Sequence, residues 1–242
     1  RFNLSARPNP EFGILRQQES SAHSNYDAFI VGLERRFSRL QFRTSYVLSY
    51  NKDDDSNERN YLGINYENAY DLKPEYRWSR NDIRHRWILN GVWELPWNLK
   101  TSSTLEWRTG APFSAFTGRD SNGDGQLTDR PIIAGVPILR NSFRQPNYFQ
   151  HDLRVIKGFI LGEEKVLNLS AELFNLWNTK NYLFTANPNE QGPAGAIGSL
   201  WGPGQIPLPT FRAKYLPDGS LNSNGLYVNA PFQLQIALKF QF

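Results

Sequence analysis

The sequence predicts an all-β protein built as an antiparallel, up-and-down transmembrane β-barrel wall. Three observations carry that expectation. Within 242 residues there are seven runs in which apolar and polar side chains alternate at period two, the mark of a strand with one apolar and one wet face. The connections between these runs alternate strictly between short and long. The last run, PFQLQIALKFQF (231–242), keeps its alternation up to a terminal Phe, where most chains fray. Its twelve residues fit the ~9–11 that a tilted strand needs to cross a bilayer.

The runs follow in order. In YDAFIVGLERRF (26–37), Phe29, Val31, Leu33 and Phe37 are assigned to one face, and Asp27, Gly32, Glu34 and Arg36 to the other. In LQFRTSYVLSY (40–50), Leu40, Phe42, Tyr46, Leu48 and Tyr50 oppose Gln41, Arg43, Ser45 and Ser49. Only Ser38 and Arg39 lie between the two, the length of a tight hairpin. A long polar connection, 51–81, precedes IRHRWILNGVWEL (83–95), where Trp87, Leu89, Trp93 and Leu95 oppose Arg84, Arg86, Asn90 and Glu94. The short turn PWNL (96–99) leads to KTSSTLEWRTG (100–110), with Leu105 and Trp107 outward and Glu106 and Arg108 inward. After a second long connection, 111–147, FQHDLRVIKGFIL (149–161) sets Leu153, Val155 and Phe159 against Asp152, Arg154 and Gly158. The turn GEEK (162–165) joins it to VLNLSAELFNLW (166–177), with Leu167, Leu169, Ala171 and Leu173 outward and Asn168, Ser170 and Glu172 inward. The third long connection, 178–230, is rich in Gly, Pro and Asn. The terminal run places Phe232, Leu234, Ile236, Leu238, Phe240 and Phe242 on a single face.

Sorting of loop length by parity is expected of outer-membrane barrels, with short periplasmic turns and long extracellular loops. It places the turns near 38–39, 96–99 and 162–165 in the periplasm, and 1–23, 51–81, 111–147 and 178–230 outside. Charges on the wet faces (Glu34, Arg43, Glu94, Glu106, Arg154, Glu172) suit a hydrated lumen and not a sealed core. Aromatic residues gather near both water boundaries: Phe37, Trp93, Trp97, Phe159 and Phe242 at the turn end, and Tyr26, Tyr50, Tyr148 and Trp177 at the loop end.

Composition narrows the function classes. Only 39% of residues are hydrophobic and no apolar run is long enough for a transmembrane helix. The absence of Cys excludes disulfides and thiolate metal sites. The net charge of +4 is spread along strands, and the basic stretch RNDIRHR (80–86) reads as a solvated face, so no nucleic-acid partner is expected. The chain has no Met and no apolar leader, and is expected to be a processed product or a piece of something longer. Its three histidines, His23, His85 and His151, fall in no catalytic motif. His151 and Asp152 are strand neighbours and point to opposite faces, so no enzyme is expected.

One segment has metal-ligand spacing. DSNGDGQLTD (120–129) places Asp120, Asn122 and Asp124 at positions one, three and five of a calcium-loop pattern, with Gly125 at the sharp turn and Gln126 offering its carbonyl. The twelfth position is Pro131, and Asp129 is the candidate to replace the missing carboxylate. The competing reading is a bare turn, which Asp, Asn and Gly build without metal.

Several stretches together resemble a known family. SNYDAFIVGLERRFSRLQFRTSYVLSY, RHRWILNGVWELP, TGAPFSAFTGRDSNGDGQLTDRP, HDLRVIKGF and AELFNLWNTKNY are similar to successive strands of the C-terminal barrel of TonB-dependent receptors, in the Oar-like branch whose members carry an N-terminal carboxypeptidase-regulatory-like domain. The resemblance implies an outer-membrane receptor with a 22-stranded barrel. Residues 1–242 would be its C-terminal part, without the plug and the N-terminal strands. The implied partners are outer-membrane lipid, the barrel-assembly machinery, those missing strands and plug, the TonB complex reached through the plug, and an extracellular ligand of open identity. It implies that Leu238, Phe240 and Phe242 form the signal read by the assembly machinery. It also implies that the long loops bind ligand, with Trp201 in GSLWGPGQIPLP (198–209) as the preferred contact. Two other readings stay open at this point: a self-contained small porin or adhesion barrel, and a secreted carbohydrate-binding β-sandwich stacking sugars on Trp107, Trp177 and Trp201.

Overall fold

A computed structural model describes residues 20–55, 66–68, 71–114, 120–123, 129–162, 165–184, 225–227 and 229–242. Fourteen strands occur among them: β1 (Ser24–Arg36), β2 (Leu40–Asp53), β3 (Arg77–Trp78), β4 (His85–Leu95), β5 (Leu99–Arg108), β6 (Pro112–Phe113), β7 (Ile132–Ile133), β8 (Val136–Pro137), β9 (Phe143–Arg144), β10 (Tyr148–Ile160), β11 (Val166–Phe174), β12 (Tyr182–Phe184), β13 (Gly225–Tyr227) and β14 (Gln233–Gln241). One turn of 3-10 helix, Lys73–Glu75, is the helical element among the described residues.

The seven predicted runs are the seven long strands. They pair in the order β1-β2-β4-β5-β10-β11-β14, each antiparallel to the next, and so form an up-and-down wall. The short strands belong to the long connections. β3 lengthens the wall beside the end of β2, and β6–β9, β7–β8 and β12–β13 are separate two-stranded pairs. Turn chemistry sets the strand ends. In the three-residue connection between the paired Leu95 and Leu99, Trp97 and Asn98 both have positive φ (62° and 54°), as the two central residues of a type I′ turn require. β11 stops at Phe174, earlier than the sequence suggests, because Asn175 adopts φ 49° and its amide clamps Thr179. Trp177 therefore lies in a turn, not on the strand.

Register confirms nearly all face assignments. Tyr46, Trp87, Trp107 and Phe149 pair in succession across four strands and form one aromatic row. Leu173, Ala171, Leu169 and Leu167 face Leu234, Ile236, Leu238 and Phe240. Three assignments need correction. Asp27 pairs with Tyr50 and shares the parity of Phe29, so it lies on the apolar face at its loop end, where Asn25 donates to it at 2.7 Å. Tyr26 and Tyr148 have the opposite parity and face the polar side, where the Arg108 guanidinium lies 4.6 Å from the Tyr148 ring centre.

Burial is inverted relative to a soluble domain. Among the described residues Phe113 is the one buried hydrophobic side chain, packed on Phe143, while the most buried groups include Glu75, Asp82 and Asp129. Phe29, Ile236 and Leu238 are 62%, 65% and 69% exposed. In water such a surface would associate, whereas in lipid it is a wall. From Leu40 to Tyr50 the apolar face of β2 spans about 34 Å along the strand. At a tilt of about 45° that becomes about 24 Å, the height of an outer-membrane apolar band. No second sheet covers this face among the described residues, which removes the β-sandwich reading and its stacking role for Trp107 and Trp177. β1 and β14 each pair on one side only within the described sheet.

Candidate functional site: the polar cap over the wall

The described residues of the long connections 54–84 and 109–147 fold onto each other at one end of the wall, and arginines hold them. Asp82 is fully buried. Its Oδ1 accepts the backbone N–H of Asn51 at 2.8 Å, and its Oδ2 takes Arg84 at 3.3 Å together with Arg144. Arg144 also donates to the carbonyls of Asp82 and Gly110, at 3.1 Å each. One guanidinium thus ties the β4 approach to the segment after β5. The Arg84 guanidinium lies 4.2 Å from the Tyr50 ring and 4.3 Å from the Trp78 ring, a cation between two π faces.

A second arginine pair closes the top. Glu75 is 1% exposed, and its two oxygens accept both terminal nitrogens of Arg130 at 2.6 and 2.8 Å. This bidentate geometry is the strong form of carboxylate recognition. The Arg130 backbone N–H reaches Glu67 at 2.9 Å. Arg140 donates to the Glu75 carbonyl at 2.9 Å and to Asp53 Oδ1 at 2.6 Å. Asn141, with φ 54°, donates its side chain to the Trp78 carbonyl at 2.6 Å and its backbone N–H to Ser114 at 2.9 Å. Burial pushes the Glu67 carboxyl above its ordinary range, against the opposing pull of Arg130. Tyr66 is pushed up to about 12 by burial and by the neighbouring Asp55 and Asp54 carboxylates.

The described residues of the calcium-pattern segment, 120–123 and 129, dock on this cap. Asp129, 2% exposed, turns its Oδ2 onto the backbone N–H groups of Ser121 and Asn122, the latter at 2.8 Å. Asp120 Oδ1 accepts from Gly123 at 2.5 Å, and Asn122 Nδ2 donates to the Glu67 carbonyl at 3.0 Å. The structure therefore brings Asp120, Asn122 and Asp129 together as a carboxylate-capped turn. Asp124 and Gln126 lie outside the described residues, and so does Trp201. Among the described residues no three His, Asp or Glu side chains converge as metal ligands. Leu238, Phe240 and Phe242 lie on the apolar face, with the last two rings 5.8 Å apart.

A nucleophile–base pair is geometrically present on the apolar face. Ser103 Oγ lies 2.8 Å from His151 Nε2, and the Trp177 indole N–H donates to His151 Nδ1 at 2.9 Å. An indole nitrogen can only donate, so Nδ1 is the acceptor and the neutral ring carries its proton on Nε2, pointing at Ser103. That tautomer cannot take a proton from the hydroxyl. The trio instead satisfies polar groups at the loop-end rim, as Tyr46 and His85 do at 2.7 Å. On the inner face, Arg86–Glu106 at 3.1 Å, Lys100–Glu94 at 3.1 Å and Arg154–Glu172 at 3.0 Å form cross-strand ion pairs.

Sequence reasoning found the wall charges but missed the cap: Asp53, Glu75, Asp82, Arg130, Arg140 and Arg144 carried no local signal. Against known proteins, the family model described as an outer membrane beta barrel domain matches residues 2–139 and 135–206. No curated protein and no solved structure matches the chain.

Proposed function

The chain belongs to the outer membrane β-barrel domain family, and we propose that it is the C-terminal wall of a TonB-dependent receptor. The observation that carries this reading is the division of the wall's two ends. One end has tight turns, and at the other the described parts of two long connections are joined into an ion-paired polar cap. The cap end is assigned to the cell exterior, where it holds ligand-binding loop tips in place. Residues 198–209 with Trp201 remain the preferred contact, and siderophore, glycan and peptide are all open. The ion-paired inner face lines a wet lumen beside a plug.

Strand parity supports a larger barrel. With seven strands, β1 and β14 run in the same direction. An all-antiparallel closure therefore needs an odd number of further strands. A second copy inserted the same way round meets the first in parallel and cannot supply them. Open edges are not viable in lipid, so the wall is closed by an odd number of strands beyond these seven, a count that barrels of about 22 strands with a plugged lumen satisfy.

The test is binding of the purified periplasmic domain of the host's TonB to the intact protein in detergent. Saturable binding is expected, with no steady conductance in planar bilayers because the plug fills the lumen. Steady conductance without TonB binding would favour the small-porin reading. Calcium at 120–129 belongs to the same proposal as a weak stiffener of the cap. Calorimetry at millimolar Ca²⁺ should show heat that Asp124→Ala abolishes, and equal heats in both proteins would leave only the turn.

A further inference from the structure

On the outward face of the described wall strands, register places four charged side chains: Asp27 and Lys52 toward the cap end, and Arg35 and Lys157 toward the short-turn end. The turn-end pair has no acidic companion on that face. Each cation also lies near an aromatic ring. The Arg35 guanidinium is 5.4 Å from the Phe37 ring centre, and the Lys157 ammonium is 5.6 Å from that of Phe159. Lys157 donates in addition to the carbonyl of Trp97, whose indole is 82% exposed at the tip of its hairpin.

A cation pointing outward from a membrane wall is costly at the midplane and tolerated near the interface. Long basic side chains lie along apolar surface and carry their charge to the headgroups. An ammonium has three donors, and Trp97 takes one from Lys157. We propose that the short-turn rim binds the phosphates of anionic glycerophospholipid headgroups, with Arg35 and Lys157 as the phosphate-contacting cations and Phe37, Phe159 and Trp97 as rings that fix their depth. The proposal rests on the outer-membrane reading and adds a lipid site to it. It makes the turn-end leaflet, through its phosphates, part of what sets the height and tilt of the wall.

The experiment uses the intact protein, reconstituted into vesicles containing equal parts of phosphatidylglycerol and phosphatidylcholine. The lipid it retains is then measured by native mass spectrometry. Preferential retention of phosphatidylglycerol is expected. Arg35→Gln or Lys157→Gln should each lower that preference about fivefold, a basic side chain near an anionic surface having about that effect, and the double variant should lower it further. The exchanged pair Arg35→Lys/Lys157→Arg keeps both charges and should keep the preference. Heat-modifiable electrophoretic mobility reports barrel formation separately, so a protein that never enters the bilayer counts against the outer-membrane reading and not against the headgroup site alone. No preference in the parent protein, an unchanged preference in the double Gln variant, or its loss in the charge-keeping variant would overturn the proposal.

Discussion

Glu75→Gln isolates what holds the cap together. The substitution preserves shape and one carbonyl but removes the charge facing Arg130. Both groups are almost fully enclosed, Glu75 at 1% and Arg130 at 4% exposure. Removing one partner of a buried ion pair costs about 3–5 kcal/mol. The lower end applies here, because Glu67 stays 3.3 Å from Arg130 Nε and offers a second carboxylate. About 3 kcal/mol raises local opening of the cap about 100-fold. The wall should not share this loss, since its strands are held by ladder hydrogen bonds and not by Glu75. Hydrogen exchange of the intact protein should therefore show amides at 71–78 and 129–141 losing protection by about two orders of magnitude, with β2, β4, β5 and β10 unchanged. Adding Arg130→Met to Glu75→Leu should recover part of the protection, because the enclosed pair becomes apolar together, while Glu67 loses its Arg130 partner. Cap amides within twofold of the parent in Glu75→Gln would refute the reasoning.

Gly110→Ala should loosen the cap by a steric route. A Cβ there would sit 1.7 Å from the Gln145 carbonyl oxygen, forcing apart strands that the Gln145-to-Ala111 bond joins at 2.8 Å; faster proteolysis of 109–147 with unchanged wall exchange is the expected outcome. Glu67 gives the cap a pH dependence. Its raised folded pKa means the folded cap binds the proton more tightly than the open chain, so its contribution is full below the ordinary Glu value and fades as pH rises through the raised one. Urea release of the cap, followed by Trp78 fluorescence, should shift to higher urea on acidification through that window, and Glu67→Gln should flatten the shift. Replacing Phe240 and Phe242 by Ser should lower the folded, heat-modifiable fraction of the intact protein in outer membranes; an undiminished fraction would remove their assembly role.

The wall was legible because its information is local. Alternation at period two needs only neighbours, and a run such as QLQIALKFQ states its faces without reference to any other segment. Loop parity is nearly as local, requiring only lengths. Asp27 shares a face with Phe29 on any strand, so its place follows from parity alone. Tyr26 and Tyr148 lie on the polar face because register, and not aromatic character, decides the side. The cap was illegible for the opposite reason. Arg130 meets Glu75 across 55 residues, Arg140 meets Asp53 across 87, and Arg144 meets Asp82 across 62. An isolated Arg or Asp in a polar loop carries the same signature whether it ends in solvent or in a buried pair.

This difference in legibility follows from which solvent each part meets. In the wall, lipid takes the role of a core, so apolar side chains point outward and their pattern is written strand by strand. Among the described residues the cap buries little apolar surface beyond Phe113 and Phe143, so its burial there is polar. Buried polar groups are stable only when paired, and pairing is a relation between distant segments. A loop layer built this way resists opening as long as its pairs are complete, and it loses much of that resistance when one charge is removed. The wall has no such single point of failure, because each strand shares its ladder bonds with its neighbours. Loop residues outside this network can therefore vary while its charged pairs cannot, provided Glu75, Asp82 and the three arginines keep their partners.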